Sequence, residues 1–457
     1  MHMDPIAARR TQAGAPVVHG MHEALWAVDA LVAHGAIDKP ITTLAVQFRR
    51  FVYVGAEVSL RLVRSTERSL RAELIADGLS ATTLDVGFGA ATAPEVIDVG
   101  HSGVEFSAES LVEPLGLDFS ALSDRSGVVS HVPGAAAAHL FPHAAGRLGN
   151  SALRSLVRLS ALVGMICPGL YSIFGGFKIS VFPSRESSGR VKFSVRSVDE
   201  RFRMVTIAID GGVVAGTVEA FVRKPPMTPP RVADLADVVR GDEFAGTTAL
   251  IVGGSRGLGA LTARLIAAGG GRIVVTYVTG EREARALADE LSTDRCRVLR
   301  YDARDDAASQ LADLVWNVDQ LYYFATTPIF RAKAAWWVPE RFAEFCRVYV
   351  DGFAGVCTAV RARAAENLTV FYPSSVAVDE RPRGMAEYSA AKVAGEILCA
   401  EMNRALHGVH VLVRRLPRIE TDQTATIMPV QSADGLEVML PIVREMHAKP
   451  SPAPLGS

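Results

Sequence analysis

Residues 247–270 read TTALIVGGSRGLGALTARLIAAGG. The stretch from Thr247 to Val252 has the apolar character of a buried strand, and from Leu258 onward the apolar residues recur at helical spacing. Between them Gly253, Gly257 and Gly259 follow a G-x-x-x-G-x-G pattern. A backbone that turns tightly and approaches a pyrophosphate at a helix N-terminus needs glycine, and the free amides there favour an anion. Glycine turns also join strands to helices with no ligand present, so the motif alone is weak. Its place between a strand and a helix is what the phosphate-binding mechanism requires. Gly253, Ser255, Arg256, Gly257, Leu258 and Gly259 are therefore the candidate cofactor contacts of this loop.

Working outward, a second strand, RIVVTYV (272–278), follows the helix. A carboxylate at its end would bond a ribose 2′-hydroxyl and repel a 2′-phosphate. The sequence instead has Thr276-Tyr277-Val278-Thr279, with Arg256 before it and Arg282 after it. Either arginine suits a phosphate, so NADP(H) is expected in preference to NAD(H); the plainer alternative is that both are simply solvated. Asp302, after a third strand RVLRY, is placed to contact the adenine.

The chemistry-bearing segment is FYPSSVAVDERPRGMAEYSAAKVAGEILCAEM (371–402). Tyr388 and Lys392 are four residues apart, hence on one helix face. An ammonium near a phenol is expected to lower a pKa that starts near ~10, letting the tyrosine serve a forming alkoxide. Ser375, thirteen residues earlier, reaches the same carbonyl oxygen. Tyr-x-x-x-Lys occurs by chance in many helices, but with the glycine loop and the serine it becomes specific.

Together these residues resemble the short-chain dehydrogenase/reductase superfamily over about Asp242 to Thr426. The resemblance implies that Ser375, Tyr388 and Lys392 are catalytic. It also implies that Ala325, Thr326, Tyr388, Lys392, Pro417 and Thr421 join the cofactor contacts. Three positions depart from the family's pattern. Its Asn-Asn-Ala-Gly is Tyr323-Phe324-Ala325-Thr326 here, its relay asparagine falls at Tyr349, and its Pro-Gly is Pro417-Arg418.

The remaining residues describe a second body. In the run Lys224-Pro225-Pro226-Met227-Thr228-Pro229-Pro230 four prolines remove backbone donors and favour extended structure, so it reads as a linker. Before it, an apolar helix (about 19–33) precedes strand-like runs, and a second helix (about 143–165) precedes LYSIFGGFKISVFP and three more. A β-rich unit wrapping one apolar helix, present twice, describes an α+β double hot-dog fold; an unrelated α+β domain is the alternative. The expected organisation is 1–223 (halves about 1–100 and 118–223), a Pro-rich linker 224–238, a Rossmann-type doubly wound α/β domain 239–430, and a tail 431–457. The start, His2-Met3-Asp4-Pro5 and later His19-Gly20-Met21, is similar to MaoC-type enoyl thioester hydratases and dehydratases. That resemblance makes His2 the catalytic histidine, while the family's aspartate would fall before residue 1. Cys167 reads more readily as a small buried hydrophobe than as a reactive thiol.

Of the 457 residues 49% are hydrophobic and 21% charged, with net charge −1, which gives no global field for nucleic acid or a membrane surface. Five scattered cysteines suggest neither a metal site nor a disulfide framework. The N-terminus has no apolar core of a signal peptide, and no apolar run reaches the ~20 residues that cross a bilayer; a cytoplasmic setting is expected. Three functional readings stay open. The first is NADPH-dependent reduction of a 3-ketoacyl thioester of coenzyme A or acyl carrier protein, joined to a MaoC-like dehydratase, hydratase or acyl-binding unit in fatty-acid-like or polyketide-like biosynthesis. The second is an oxidoreductase acting on a sugar or other non-thioester substrate, its hot-dog half serving a homodimer. The third is a non-catalytic scaffold that binds acyl carrier protein.

Overall fold

The computed structural model describes residues 2–9, 11, 13–89, 104–107, 111–130, 136–186, 189–225, 228–330, 335–364, 367–419, 421 and 431–448. Part of the proline-rich linker (226–227) and the last residues (449–457) lie outside them. The chain divides into two compact units, one mainly Ala15–Pro225, the other mainly Pro226–Thr424 together with the segment Arg9–Gly14.

Among the described residues the N-terminal unit has ten strands: β1 Ile41–Phe48, β2 Val58–Ser65, β3 Ser69–Ala76, β4 Leu79–Phe88, β5 Glu105–Phe106, β6 Ser126–Val129, β7 Ser172–Val181, β8 Val191–Asp199, β9 Met204–Asp210 and β10 Val214–Val222. They form one sheet in the order β2-β3-β4-β1-β7-β10-β9-β8-β6-β5. Each half repeats one plan. A helix is followed by a strand that pairs with the last of its four strands, and the other two continue outward. The two leading strands, β1 and β7, pair antiparallel from Thr43↔Ser180 to Gln47↔Gly176 and so join the halves.

Strand alternation decides which face each helix covers. On β3, Leu70, Ala72, Leu74 and Ala76 are buried while their neighbours are not, the period-2 pattern of a half-covered sheet. Helix Gly20–Ala33 buries Met21, Ala24, Leu25, Val28 and Leu31, and helix Asn150–Ala161 buries Ala152, Leu153, Leu156 and Leu159, in the same core. The second helix runs on into a π-helical turn, Leu162–Ile166.

Among the described residues the C-terminal unit has six strands: β11 Thr248–Val252, β12 Arg272–Tyr277, β13 Cys296–Arg300, β14 Gln320–Tyr323, β15 Leu368–Ser375 and β16 Val409–Leu416. All are parallel, in the order β13-β12-β11-β14-β15-β16. β11 is buried along its whole length, as expected of a strand covered on both faces. The strand order reverses between β11 and β14, and ligands of such sheets bind beyond the carboxyl ends at that point. Leu235, within the expected linker, is buried in this unit's core. Residues 431–448, expected as tail, contain helix Gly435–His447, whose Met439, Ile442, Val443 and Met446 pack in the same core. No helix among the described residues is long and apolar enough to cross a membrane.

One buried carboxyl makes the N-terminal core sensitive to pH. Glu23 is 5% exposed, accepts a hydrogen bond from the Thr82 hydroxyl, and is pushed by burial up to about 7. A carboxyl whose pKa is higher folded than unfolded holds more protons in the folded state. The stability is then complete below the ordinary carboxylate range and falls as pH rises from there to about 7. Glu23→Gln keeps the acceptor and removes the charge. We expect it to raise stability by about 1–3 kcal/mol at pH 8 and to have little effect at pH 4, as read by denaturant unfolding at both pH values.

Candidate active site

The site begins where β11 ends. Gly253 has φ +79°, and a Cβ there would lie 2.9 Å from the Phe324 carbonyl carbon, so the loop crosses the end of β14 with no room for a side chain. A Cβ on Gly259 would lie 2.4 Å from the Gly253 carbonyl oxygen, so the first turn of helix Gly257–Ala268 sits directly on the loop. The buried Thr276 hydroxyl on β12 accepts from the Gly253 amide at 3.0 Å. These contacts set a helix N-terminus at the mouth of a cavity of about 370 Å³.

The opposite wall comes from β15 and helix Ala386–Ala405. Ser375 ends β15, and its hydroxyl is hydrogen-bonded to the Tyr388 phenol. Lys392, one turn further along the helix, is 5% exposed and donates to the Pro373 carbonyl at 2.7 Å. Its Nζ stands 4.0 Å from the ring centre of Tyr349, 4.9 Å from that of Tyr372 and 5.9 Å from that of Tyr388. This buried cation therefore rests in an aromatic box. Glu387, wholly buried beside Tyr388, accepts from the Val338 amide at 2.6 Å and pins the start of helix Pro339–Cys346 to the catalytic helix.

Tyr349 lies in a π-helical turn, Arg347–Gly352. An extra residue per turn is a common way to re-aim a side chain at a functional site. Its hydroxyl is 2.6 Å from Thr326 Oγ1, and its ring stacks on Phe345 with centroids 5.7 Å apart and planes 10° apart. The position that the family resemblance gives to a relay asparagine thus holds a ring over the ammonium.

The electrostatics correct one expectation. Burial pushes the Tyr388 phenol above its ordinary value, and the Ser375 hydrogen bond offsets part of this. Lysine was expected to lower it. Lys392 is itself pushed down to about 7 by burial, and it stands nearer the Tyr349 and Tyr372 rings than that of Tyr388. Tyr388 is therefore held as a protonated donor.

The cavity brings together Gly253, Arg256, Gly257, Leu258 and Gly259 with Ala325 and Thr326, and on the far side Ser375, Tyr388, Lys392, Pro417 and Thr421. Ser255, Arg282 and Asp302 are not among its lining residues. Arg282 is exposed. The Asp302 carboxylate is held by Arg304 at 2.5 Å, which lowers its pKa. Sequence reasoning missed Arg9, whose segment packs with this unit. Its guanidinium bonds Thr279 at the end of β12 and pairs with Glu283, and its carbonyl accepts from Arg256 at 2.6 Å. Lying some 250 residues away in the chain, Arg9 left no local signal. His2 lies in the N-terminal unit, with Nδ1 2.9 Å from the Val17 carbonyl.

Residues 247–431 match the family model for short chain dehydrogenase. The C-terminal unit carries a short-chain dehydrogenase domain. A curated relative, (-)-isopiperitenol/(-)-carveol dehydrogenase, mitochondrial, of Mentha piperita, is 26% identical over 207 residues, 42% of this chain and 77% of that protein. Among solved structures, a short chain dehydrogenase from Burkholderia cenocepacia J2315 in complex with NADP is 21% identical, covering 45% of this chain and 94% of its own at a TM-score of 0.40. A putative short chain dehydrogenase from Pseudomonas syringae is 18% identical, covering 46% and 92% at a TM-score of 0.41.

The aromatic box of the dehydrogenase domain generates a prediction. A desolvated cation–π contact contributes ~2 kcal/mol, and 1.36 kcal/mol corresponds to one pKa unit, so the Tyr349 face supports the ammonium by about one unit or more. Activity that needs the ammonium falls as pH rises through the Lys392 pKa. Tyr349→Leu should move this alkaline limb of kcat/KM down by about one pH unit, while Tyr349→Phe, which keeps the ring, leaves it in place. Coincident limbs in the leucine variant would show that the ring face does not support the charge.

Proposed function

We propose that the protein reduces a 3-ketoacyl thioester, carried on coenzyme A or acyl carrier protein, to the 3-hydroxyacyl thioester with NADPH. The observation that carries the oxidoreductase part is the convergence of Ser375, Tyr388 and Lys392 on the cavity opened by the glycine loop. The close approaches at Gly253 and Gly259 leave the room that a pyrophosphate needs against backbone amides, so the residues present fit a dinucleotide. Gly253, Arg256, Gly257 and Leu258 would hold its phosphates, with Thr326, Lys392, Pro417 and Thr421 toward its reactive end. When bound, the nicotinamide supplies the hydride.

The chain's own residues do the rest. Ser375 and Tyr388 meet the substrate oxygen from one side through two hydroxyls already bonded to each other. A phenol held protonated suits the reducing direction, in which an alkoxide develops and takes its proton. Lys392 places a positive charge behind that oxygen and, through the Pro373 carbonyl, keeps β15 and the helix in register. The thioester class rests on the N-terminal unit. Its duplicated plan, one helix on each four-strand set, and its His-x-Asp-Pro and His-Gly-Met turns support a MaoC-like double hot dog that binds or dehydrates the acyl product, with His2 within it.

The test is NADPH oxidation by the full chain against 3-ketoacyl thioesters and, in parallel, keto or aldehyde sugars and cyclic ketones, with products identified by mass. Turnover should favour the thioesters, and Tyr388→Phe should lose ~10²–10⁴ in rate while cofactor binding, followed by fluorescence, stays near normal. Preference for a sugar or a cyclic ketone would sink the substrate reading and leave the dehydrogenase domain intact.

The cofactor preference has its own check. Arg256 lines the cavity, and the Arg9 guanidinium lies beside Thr279 where a carboxylate is absent. A charge-assisted phosphate contact contributes roughly 1.5–3 kcal/mol. Arg256→Ala combined with Arg9→Ala should therefore weaken NADPH about tenfold or more and barely change NADH. Equal losses for both cofactors would refute a 2′-phosphate role.

A further inference from the structure

The N-terminal unit holds a polar cluster that neither the reductase chemistry nor the His2 assignment uses. His19 precedes helix Gly20–Ala33, and its Nε2 lies 2.7 Å from the Ser160 hydroxyl on the second-half helix, Asn150–Ala161. The two residues come from opposite halves of the duplication. The His2 ring lies tilted against that of His19, with centroids 4.7 Å and planes 54° apart. Both His19 and Ser160 are half-buried, so they are packed yet reachable.

Three further features fit an acyl group. Ser160 lies two residues before the helix opens into its π-helical turn, Leu162–Ile166, a distortion frequent at functional sites. His19 makes no side-chain capping bond, so the first amides of helix Gly20–Ala33 are donors without intrahelical acceptors. A Cβ on Gly20 would lie 3.2 Å from the Phe48 ring, and Phe48 packs edge-on against Phe174 with centroids 5.3 Å apart. Both rings are half-buried. An apolar surface thus begins one residue from the imidazole.

We propose that Ser160 and His19 form a nucleophile–base pair that transfers or hydrolyses the acyl group of a thioester in the N-terminal unit. A hydroxyl within hydrogen-bond reach of an imidazole is the arrangement that activates such a nucleophile. Burial holds His19 down to about 4, so the imidazole is neutral at physiological pH and carries a free lone pair toward the hydroxyl. Ser160 Oγ attacks the thioester carbonyl carbon while its proton passes to His19 Nε2. The C–S bond breaks and the thiol leaves with that proton, giving an O-acyl serine. Water then attacks the ester, giving its proton through His19 back to Ser160. The sum is thioester plus water to carboxylic acid plus thiol. The choice of a thioester rests on the proposed function; the pair itself does not.

The full chain is incubated with acyl-coenzyme A thioesters and, separately, with p-nitrophenyl esters. Released thiol or p-nitrophenol is followed, and Ser160 is examined for an acyl adduct by peptide mass. We expect release with an adduct on Ser160, reduced at least a hundredfold in Ser160→Ala and in His19→Ala. Ser160→Cys should keep the adduct as a thioester. NADPH oxidation and thermal unfolding serve as folding controls. No adduct in a folded chain with either ester class, or release unchanged in Ser160→Ala, overturns the proposal. So does conversion of a 3-hydroxyacyl thioester to its enoyl product without thiol release, which would mean elimination instead. An adduct from p-nitrophenyl esters without NADPH turnover on any thioester would count against the reductase reading alone.

Discussion

A single buried cation ties the catalytic half of this molecule together. Lys392 is removed from water, and an uncompensated ammonium there would cost several kcal/mol. Three groups from two stretches of chain meet this need: the Pro373 carbonyl and the Tyr372 face, both on β15, and the Tyr349 face in its π-helical turn. Each favours the charged form of the lysine. The site's geometry thus also supports its charge, and Ser375 and Tyr388 are fixed by the same strand and helix that hold the lysine.

The glycine loop imposes the matching constraint on the other wall. Its backbone passes so close to β14 and to the first turn of its own helix that side chains are excluded at two positions. That exclusion leaves room for a ligand's phosphates. It is also why this part of the fold was legible in the sequence: steric needs of the backbone select a particular residue type at a particular spacing. Tyr388 and Lys392 were legible for a similar reason, since four residues along a helix settle a shared face.

What stayed hidden depended on distance in the chain or on burial. Arg9 reaches the end of β12 from the opposite end of the sequence, and no local pattern announces it. Helix Gly435–His447 was read as tail because its apolar residues have meaning only against the core they enter. The direction of the Tyr388 shift was misjudged because charge proximity was weighed without desolvation, and for a phenol this enclosed burial is the larger effect. In the N-terminal unit the repeated order of helix and strands was visible. The meeting of His19 with Ser160 was not, because it depends on how the two halves of the unit face each other.

The seam between those halves has a consequence for the solubility of the chain. β1 and β7 each give one edge to the other, so neither half is a closed object. Split apart, each would present an unpaired strand edge, a template for self-association. At one of its two outer ends the sheet finishes on β2, largely exposed and carrying Arg61 and Arg64, charges that discourage further strand addition. With both halves in one chain the partner strand is always at hand, at a local concentration that no second molecule could match.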